Sequence, residues 1–449
     1  MKAEKKPPEP APVPGPESRR IFADEQRYIA PGLQRIALMS ELTLVSGKGA
    51  TVEDADGNRY VDFFAGVAVA SLGHSHPRWV SMMETQIRKI SVGSFTTENR
   101  LKFLKRLAEV TPGKLDRAQL YSSGAEAVEA AIRLAKSYTG NYEVVGFWGG
   151  FHGKTTGVIG LMGDEGKHGW GPLPGSRFLT PYADCYRCPI GLEYPSCGVA
   201  CAEFARKTIR NSTSGAVAAV LAEPMQGTAG NVIPPPEFLP AIRDIAHEAG
   251  ALFIADEMIT GFGRTGKMFG VEHSGAVPDV MTTGKGMASG YPVSAVIATD
   301  EISRAEPWAK PSGASSSYGG NPLAATAALA TLETVIDENL VERSATIGEE
   351  MKQRLLAMQE KYEFLGDVRG VGLLIGLDLV KDRKTKEPLE KTVTERIFLE
   401  CLRRGLLVMG YMPRVRINPP LTLTREEMDR GLGVLDEVFA EIARDRSYR

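Results

Sequence analysis

From about residue 100 to about residue 300 the chain alternates short β-branched runs with amphipathic helices. EVVGF, AAVLAEP, ALFIADE, DVMTTG and SAVIAT read as strands, and AEAVEAAIRLAKSY and PPEFLPAIRDIAHEAG read as helices. Strands joined through helical crossovers run parallel, and helices on both faces bury them completely. The alternation therefore predicts an α/β fold with a mixed, mostly parallel sheet covered on both sides. Such sheets collect their ligands beyond the C-terminal ends of the strands. Residues just after each apolar run are the first place to look for chemistry.

The remainder divides around this unit. Residues 1–18 are proline-rich and polar and are expected to form a disordered tail. Residues 19–75 are expected to supply the N-terminal segment of a small domain. Within them GATVEDADGNRYVDF alternates apolar and polar residues around Asp56-Gly57, a hairpin pattern. Residues 76–330 form the large domain, and 331–449 a C-terminal α+β part of the small one. A net charge of −2 excludes the basic field that nucleic acid or an anionic membrane requires. No apolar run approaches the roughly 20 residues that span a bilayer. With no signal peptide at the start, the expected location is the cytoplasm.

Asp256 ends the run ALFIADE, and Lys285 follows it by 29 residues, just after DVMTTG, with a glycine on each side. Neighbouring strands would bring both to one rim of the sheet. They could form a plain salt bridge. They are also the two groups pyridoxal phosphate needs: an amine for its aldehyde and a carboxylate that keeps its ring nitrogen protonated. Glycine neighbours would let such a lysine move. Ser123-Gly124-Ala125 lies between a strand end and a strongly periodic helix, where free N–H groups and the helix dipole favour an anion. Phe151 and His152 stand in a glycine-rich loop. Glu223 ends another strand, where it could pair with Arg264 or lie near Asp256. Gly261, Gly263 and Gly266 spell G-x-G-x-x-G, but no helix pattern follows, so a dinucleotide loop is not expected.

SLGHSHP, SSGAEAVEAAIRLAK, FHGKTTG, AEPMQG, ADEMITGFGRTG, TTGKGMASG, SSYGGNPLAA, GDVRGVGL and RINPPLTLT occur in that order. Together they resemble the class III (ω-amino acid) aminotransferases, fold-type I enzymes that use pyridoxal 5′-phosphate. The resemblance implies that Lys285 forms the Schiff base and that Asp256 partners the ring nitrogen. It implies that Ser123, Gly124 and Ala125 hold the phosphate, with Phe151 and Met258 on opposite faces of the ring and His152 and Glu223 nearby. Ser317 stands where the family has a threonine reaching the neighbouring subunit's phosphate, which implies a homodimer with shared active sites, possibly assembled into a tetramer. Ile259 replaces a glutamine that would bind the ring hydroxyl. Arg416 matches the arginine that binds an α-carboxylate.

The implied reaction moves an amino group from an ω-amino acid, diamine or primary amine to pyruvate or 2-oxoglutarate. Racemases and epimerases of amino acids share the motifs and form the alternative. Two positions depart from the pattern. Thr228 stands where relatives that accept both ω-amines and 2-oxoglutarate carry a glutamate to neutralise the arginine, which leans toward α-carboxylate substrates or toward a mobile Arg416. Val67 replaces a glutamine of a decarboxylating relative, so decarboxylation is not expected. Cys185, Cys188, Cys197 and Cys201 are spaced C-x2-C-x8-C-x3-C. The spacing is compatible with zinc, with a disulfide or with plain thiols. The family resembled is generally metal-free, so no metal is assigned.

Overall fold

The computed structural model describes residues 13–448. Its central sheet has seven strands in the order Arg117–Tyr121, Ser294–Ala298, Val280–Thr283, Leu252–Asp256, Val217–Ala222, Glu143–Phe147 and Arg177–Thr180. The last five run parallel, and Ser294–Ala298 is antiparallel to both of its neighbours. Val217–Ala222 and Leu252–Asp256 are buried along their whole length. That is why they read as unbroken apolar runs rather than as alternation.

Helices cover both faces. On one side Ala127, Val128, Ala131 and Leu134 of helix Gly124–Thr139 pack against Ala219, Leu221 and Ile254. On the other, Phe238, Leu239 and Ile242 of helix Phe238–Glu248 pack against Val220 and Phe253. Each fully buried Leu, Ile or Phe stabilises by about 1.5–3 kcal/mol relative to exposure. Helix Pro322–Asp337, capped by Asn321, whose Oδ1 accepts from the N–H groups of Leu323 and Ala324 at 3.0 Å, is buried almost throughout.

Two smaller sheets are assembled from both ends of the chain. Leu44–Lys48, Thr51–Asp54 and Arg59–Asp62 form an antiparallel meander, and Leu406–Leu407 joins Arg59–Asp62 in parallel. Asp54 fixes the hairpin turn, accepting from Asp56 N and Asn58 N at 2.9 Å. Leu374–Asp382 pairs antiparallel with Leu365–Val371, Glu387–Pro388 and Arg414–Ile417. Helices Leu340–Lys361 and Arg425–Asp445 share one apolar core with these strands.

The expected tail needs correction at its end. Residues 1–12 lie outside the described residues, but a helix begins at Pro16 and runs to Glu25. The Asp56 carboxylate, from the distant hairpin turn, accepts from Glu17 N and Ser18 N at 2.8 Å and caps it. Ser18 is fully buried. Among the described residues no helix is long and apolar enough to cross a membrane.

Candidate active site

The parallel register places Asp256 opposite Thr282, three residues before Lys285. Asp256 is almost fully buried, and its carboxylate is held on both oxygens. Oδ2 accepts from His152 Nδ1 at 2.6 Å, and Oδ1 accepts from Met258 N and from the Thr282 hydroxyl at 3.1 Å. Glu223, just beyond strand Val217–Ala222, accepts from Phe151 N at 3.0 Å and Gly227 N at 3.3 Å. Lys285 opens a short 3-10 turn in the left-handed region, with φ +43°. Its amine has no hydrogen-bonded or ion-paired partner among the described residues, although its charge is coupled to Asp256, Glu223 and Arg416.

The electrostatics of the cluster follow from its dryness. Burial lowers the Lys285 pKa, and Arg416 reinforces the shift, while Asp256 and Glu223 oppose it. Burial also disfavours the charged His152 imidazole. The hydrogen bond and charge of Asp256, with the charge of Glu223, nevertheless raise its pKa above the ordinary value. Burial pushes the Glu223 carboxyl up to about 7, with Asp256 adding to the rise and His152 and the Phe151 N–H working against it. Of the two partners open to Glu223, the structure selects the Asp256 cluster. Arg264 instead donates to the carbonyls of Leu373 and Pro419, with Asp62 its charged neighbour.

An anion seat adjoins this rim. Ser123 caps helix Gly124–Thr139, its Oγ accepting from Glu126 N at 3.2 Å. The first backbone bond of the helix runs from Ala127 N to Ser123 O, so the N–H groups of Gly124 and Ala125 have no partner among the described residues. Gly153, at φ +117°, lies against Ala125, where an added Cβ would stand 2.4 Å from the Ala125 Cβ. Met258 packs between glycines: a Cβ at Gly124 would lie 3.1 Å from its sulfur, and one at Gly284 only 2.7 Å.

That observation corrects the reading of the glycines beside Lys285. Gly284 makes room for Met258, and a Cβ on Gly286 would stand 2.4 Å from Ser71 Oγ. Neither has a positive φ. They serve close packing around the lysine, and the left-handed backbone belongs to Lys285 itself.

Arg416 comes from one of the smaller sheets. Arg416 lies on strand Arg414–Ile417, makes no ion pair among the described residues, and donates only a long bond, 3.4 Å, from Nη1 to Gly227 O. Burial lowers its pKa, opposed by Tyr411 and Glu223. Thr228 is exposed beside Gly227. Ile259 is buried with Ala68, Met225 and Leu374. Val67 sits in a left-handed turn in which Ala65, Gly66, Val67 and Ala68 have φ of 46°, 63°, 66° and 62°. For a β-branched residue this is strained. The turn is held by Asp62 Oδ1, which accepts from Phe64 N at 2.9 Å and Ala65 N at 2.7 Å. Val67 itself packs toward the Tyr60 and Phe398 cluster. Ser317 is exposed on the loop before Pro322, and no bond ties it to the Lys285 cluster of its own chain.

Three participants were not anticipated: the Thr282 hydroxyl on Asp256, the Gly227 carbonyl under Arg416, and Tyr182, whose hydroxyl donates to Glu223 O at 2.9 Å. Only Thr282 carried a signal, since it lies one residue from the end of strand Val280–Thr283, which precedes Lys285.

The family model for class-III aminotransferases matches residues 34–439. The leucine/methionine racemase of Thermococcus litoralis is 35% identical over 94% of this chain and 96% of its own length. The 5-aminovalerate aminotransferase of Pseudomonas putida is 33% identical over 93% of this chain and 98% of its own. The crystal structure of an (S)-enantioselective omega-transaminase from Thermomicrobium roseum superposes with a TM-score of 0.86 at 31% identity, covering 95% of this chain and 98% of that one. A family model that spans residues 34–439, relatives of 33–35% identity over more than nine-tenths of the chain and a fold shared with known transaminases place this chain in the class-III aminotransferase family of pyridoxal phosphate-dependent, fold-type I enzymes.

Proposed function

We propose that this enzyme moves an amino group from an ω-amino acid, diamine or primary amine to pyruvate or 2-oxoglutarate, acting in the cytoplasm as a homodimer with shared active sites. The observation that carries the reading is Arg416: a half-buried guanidinium electrostatically coupled to Lys285, with one long bond to a carbonyl and no ion pair among the described residues. A buried, unpaired charge is costly, and the carboxylate of a keto acid supplies two charge-assisted bonds. Thr228, which cannot neutralise the arginine, leaves that place to the acceptor.

Pyridoxal 5′-phosphate supplies an aldehyde that captures amines and a ring that accepts electrons from the substrate Cα. The residues present fit it. The N–H groups of Gly124 and Ala125, with the Ser123 hydroxyl, would hold its phosphate. Asp256, fixed by His152, Thr282 and Met258 N, would keep its ring nitrogen protonated. Phe151 and Met258 would bracket the ring, and Glu223 orients the Phe151 backbone. Lys285 would anchor it. Once displaced, its Nζ moves the substrate Cα proton, and burial favours the neutral amine that this task needs. Ser317 of each chain would reach the phosphate held by the other.

Spectral titration of the purified holoenzyme tests the reading. A single amine should bleach the visible band of the lysine-bound cofactor, and pyruvate or 2-oxoglutarate should restore it. A cofactor-loaded enzyme unmoved by every amine refutes it. One observation favours a second reading, the relative that racemises leucine and methionine. Loss of optical purity by an amino acid, with no keto acid formed and no lasting spectral change, would establish racemisation instead.

A further inference from the structure

Four of the five cysteines lie in one segment that leaves strand Arg177–Thr180 and enters helix Ala200–Ser212. Cys185, Cys188, Cys197 and Cys201 all line a single cavity of about 20 Å³, whose remaining walls include Ile190, Leu192, Val199 and Pro235. A space of that size holds one water-sized body, and here its lining offers sulfur. The setting differs from that of a core thiol. Cys401 is fully buried among apolar residues, whereas of the four only Cys201 is buried, Cys185 is exposed and Cys188 and Cys197 are half-buried. Leu192 N donates to Cys188 Sγ at 3.4 Å.

We propose that these four cysteines bind one Zn²⁺ as a closed, tetrahedral structural site. All four are free thiols, and as the side chains stand no group of three or more ligands converges at metal-binding distance among the described residues. Binding would require the four side chains to turn toward the cavity they share, since zinc holds sulfur at roughly 2.3 Å. The balance is four thiols and one Zn²⁺ giving a tetrathiolate complex of net charge −2 and four released protons. No oxidant is involved.

The site has a mechanical consequence. Asp184, beside Cys185, accepts from Arg187 N at 3.1 Å and from Arg414 at 3.2 Å. Arg187, beside Cys188, donates to Asp378 at 2.8 Å and to the Lys386 carbonyl at 2.7 Å. Asp378 also accepts from Arg369 at 2.9 Å, and Arg369 in turn holds the carbonyls of Gly230 at 2.7 Å and Asn231 at 3.2 Å. The cysteine segment is thus tied to the loop after Thr228 and to the strand that carries Arg416. Zinc would fix the far side of the substrate-facing wall without touching substrate.

The test uses the full-length holoenzyme expressed in zinc-supplemented medium and purified without chelator. Elemental analysis should find about one zinc per chain, most of it lost in Cys188→Ser and retained in Cys401→Ser. Co²⁺ exchanged into the site should show the sulfur-to-metal charge transfer and visible bands of tetrahedral thiolate cobalt. Should Cys188→Ser fail to fold, thiol titration of the native enzyme decides: four thiols are masked until a chelator is added. Zinc at trace level, zinc unchanged in a folded Cys188→Ser, or immediate reaction of the thiols without chelator would each overturn the proposal.

Discussion

Replacing Arg416 with glutamine should separate the two halves of the proposed reaction. The side chain becomes shorter and loses its charge and its fork of donors, while the backbone of strand Arg414–Ile417 is untouched. In the wild type that fork makes one long bond, 3.4 Å, to Gly227 O and no ion pair among the described residues, so its capacity is open to a ligand. A hydrogen bond to a charged group is worth about 1.5–3 kcal/mol. A bidentate carboxylate, less the bond it displaces, should gain about 2–4 kcal/mol from the guanidinium. At 1.4 kcal/mol per tenfold, that is about a 30- to 700-fold loss in the second-order rate constant for pyruvate or 2-oxoglutarate. The assay is rapid mixing of the aminated enzyme with keto acid, following return of the visible cofactor band. A primary amine without a carboxylate, mixed with the unaminated enzyme, should lose far less. A loss below about threefold with both keto acids, in a folded and cofactor-loaded variant, would show that the carboxylate docks elsewhere; the threshold lies under the smallest value that a single charge-assisted bond predicts.

Lys285→Ala should abolish turnover while the cofactor remains bound without its covalent anchor, checked by gel filtration followed by absorbance; retained activity would remove Lys285 from its proposed role. Gly153→Ala places a Cβ 2.4 Å from that of Ala125 at a backbone φ of +117°, so it should shift the start of helix Gly124–Thr139. Strain of about 1–3 kcal/mol should weaken cofactor affinity by roughly 5- to 150-fold, measured by reconstituting the apoenzyme. Glu223 has a folded pKa of about 7 against the usual 4.5, so its contribution to stability is fully present below about pH 4.5 and is lost as pH rises through about 7. The loss approaches about 3 kcal/mol. Glu223→Gln should therefore flatten the fall in apoenzyme Tm between about pH 5 and pH 7.5, and an unchanged slope would show that Glu223 titrates normally.

Much of this molecule was legible before any coordinate. Buried parallel strands appear as β-branched runs, helices show their apolar stripe within one or two turns, and Asp56 and Gly57 mark a hairpin over a few residues. These patterns depend on backbone propensity and on burial of a single face, both local properties. The candidate chemistry at strand ends was visible for the same reason, because Asp256, Glu223 and Lys285 each close or follow an apolar run. The helix beginning at Pro16 was not, because its cap is the carboxylate of Asp56, which only folding brings near. The glycines around Lys285 likewise looked like a provision for movement until their neighbours, Met258 and Ser71, were in place.

The amino-acid sequence by itself determined the α/β layering and which residues stand at the ends of its strands, since each is written within a dozen neighbouring positions. Only the tertiary structure decided that His152 braces Asp256 across 104 residues, that Arg416 faces Gly227 across 189, and that four cysteines share one cavity. Those contacts depend on how every intervening element packs, and packing is a property of the whole chain rather than of any segment within it.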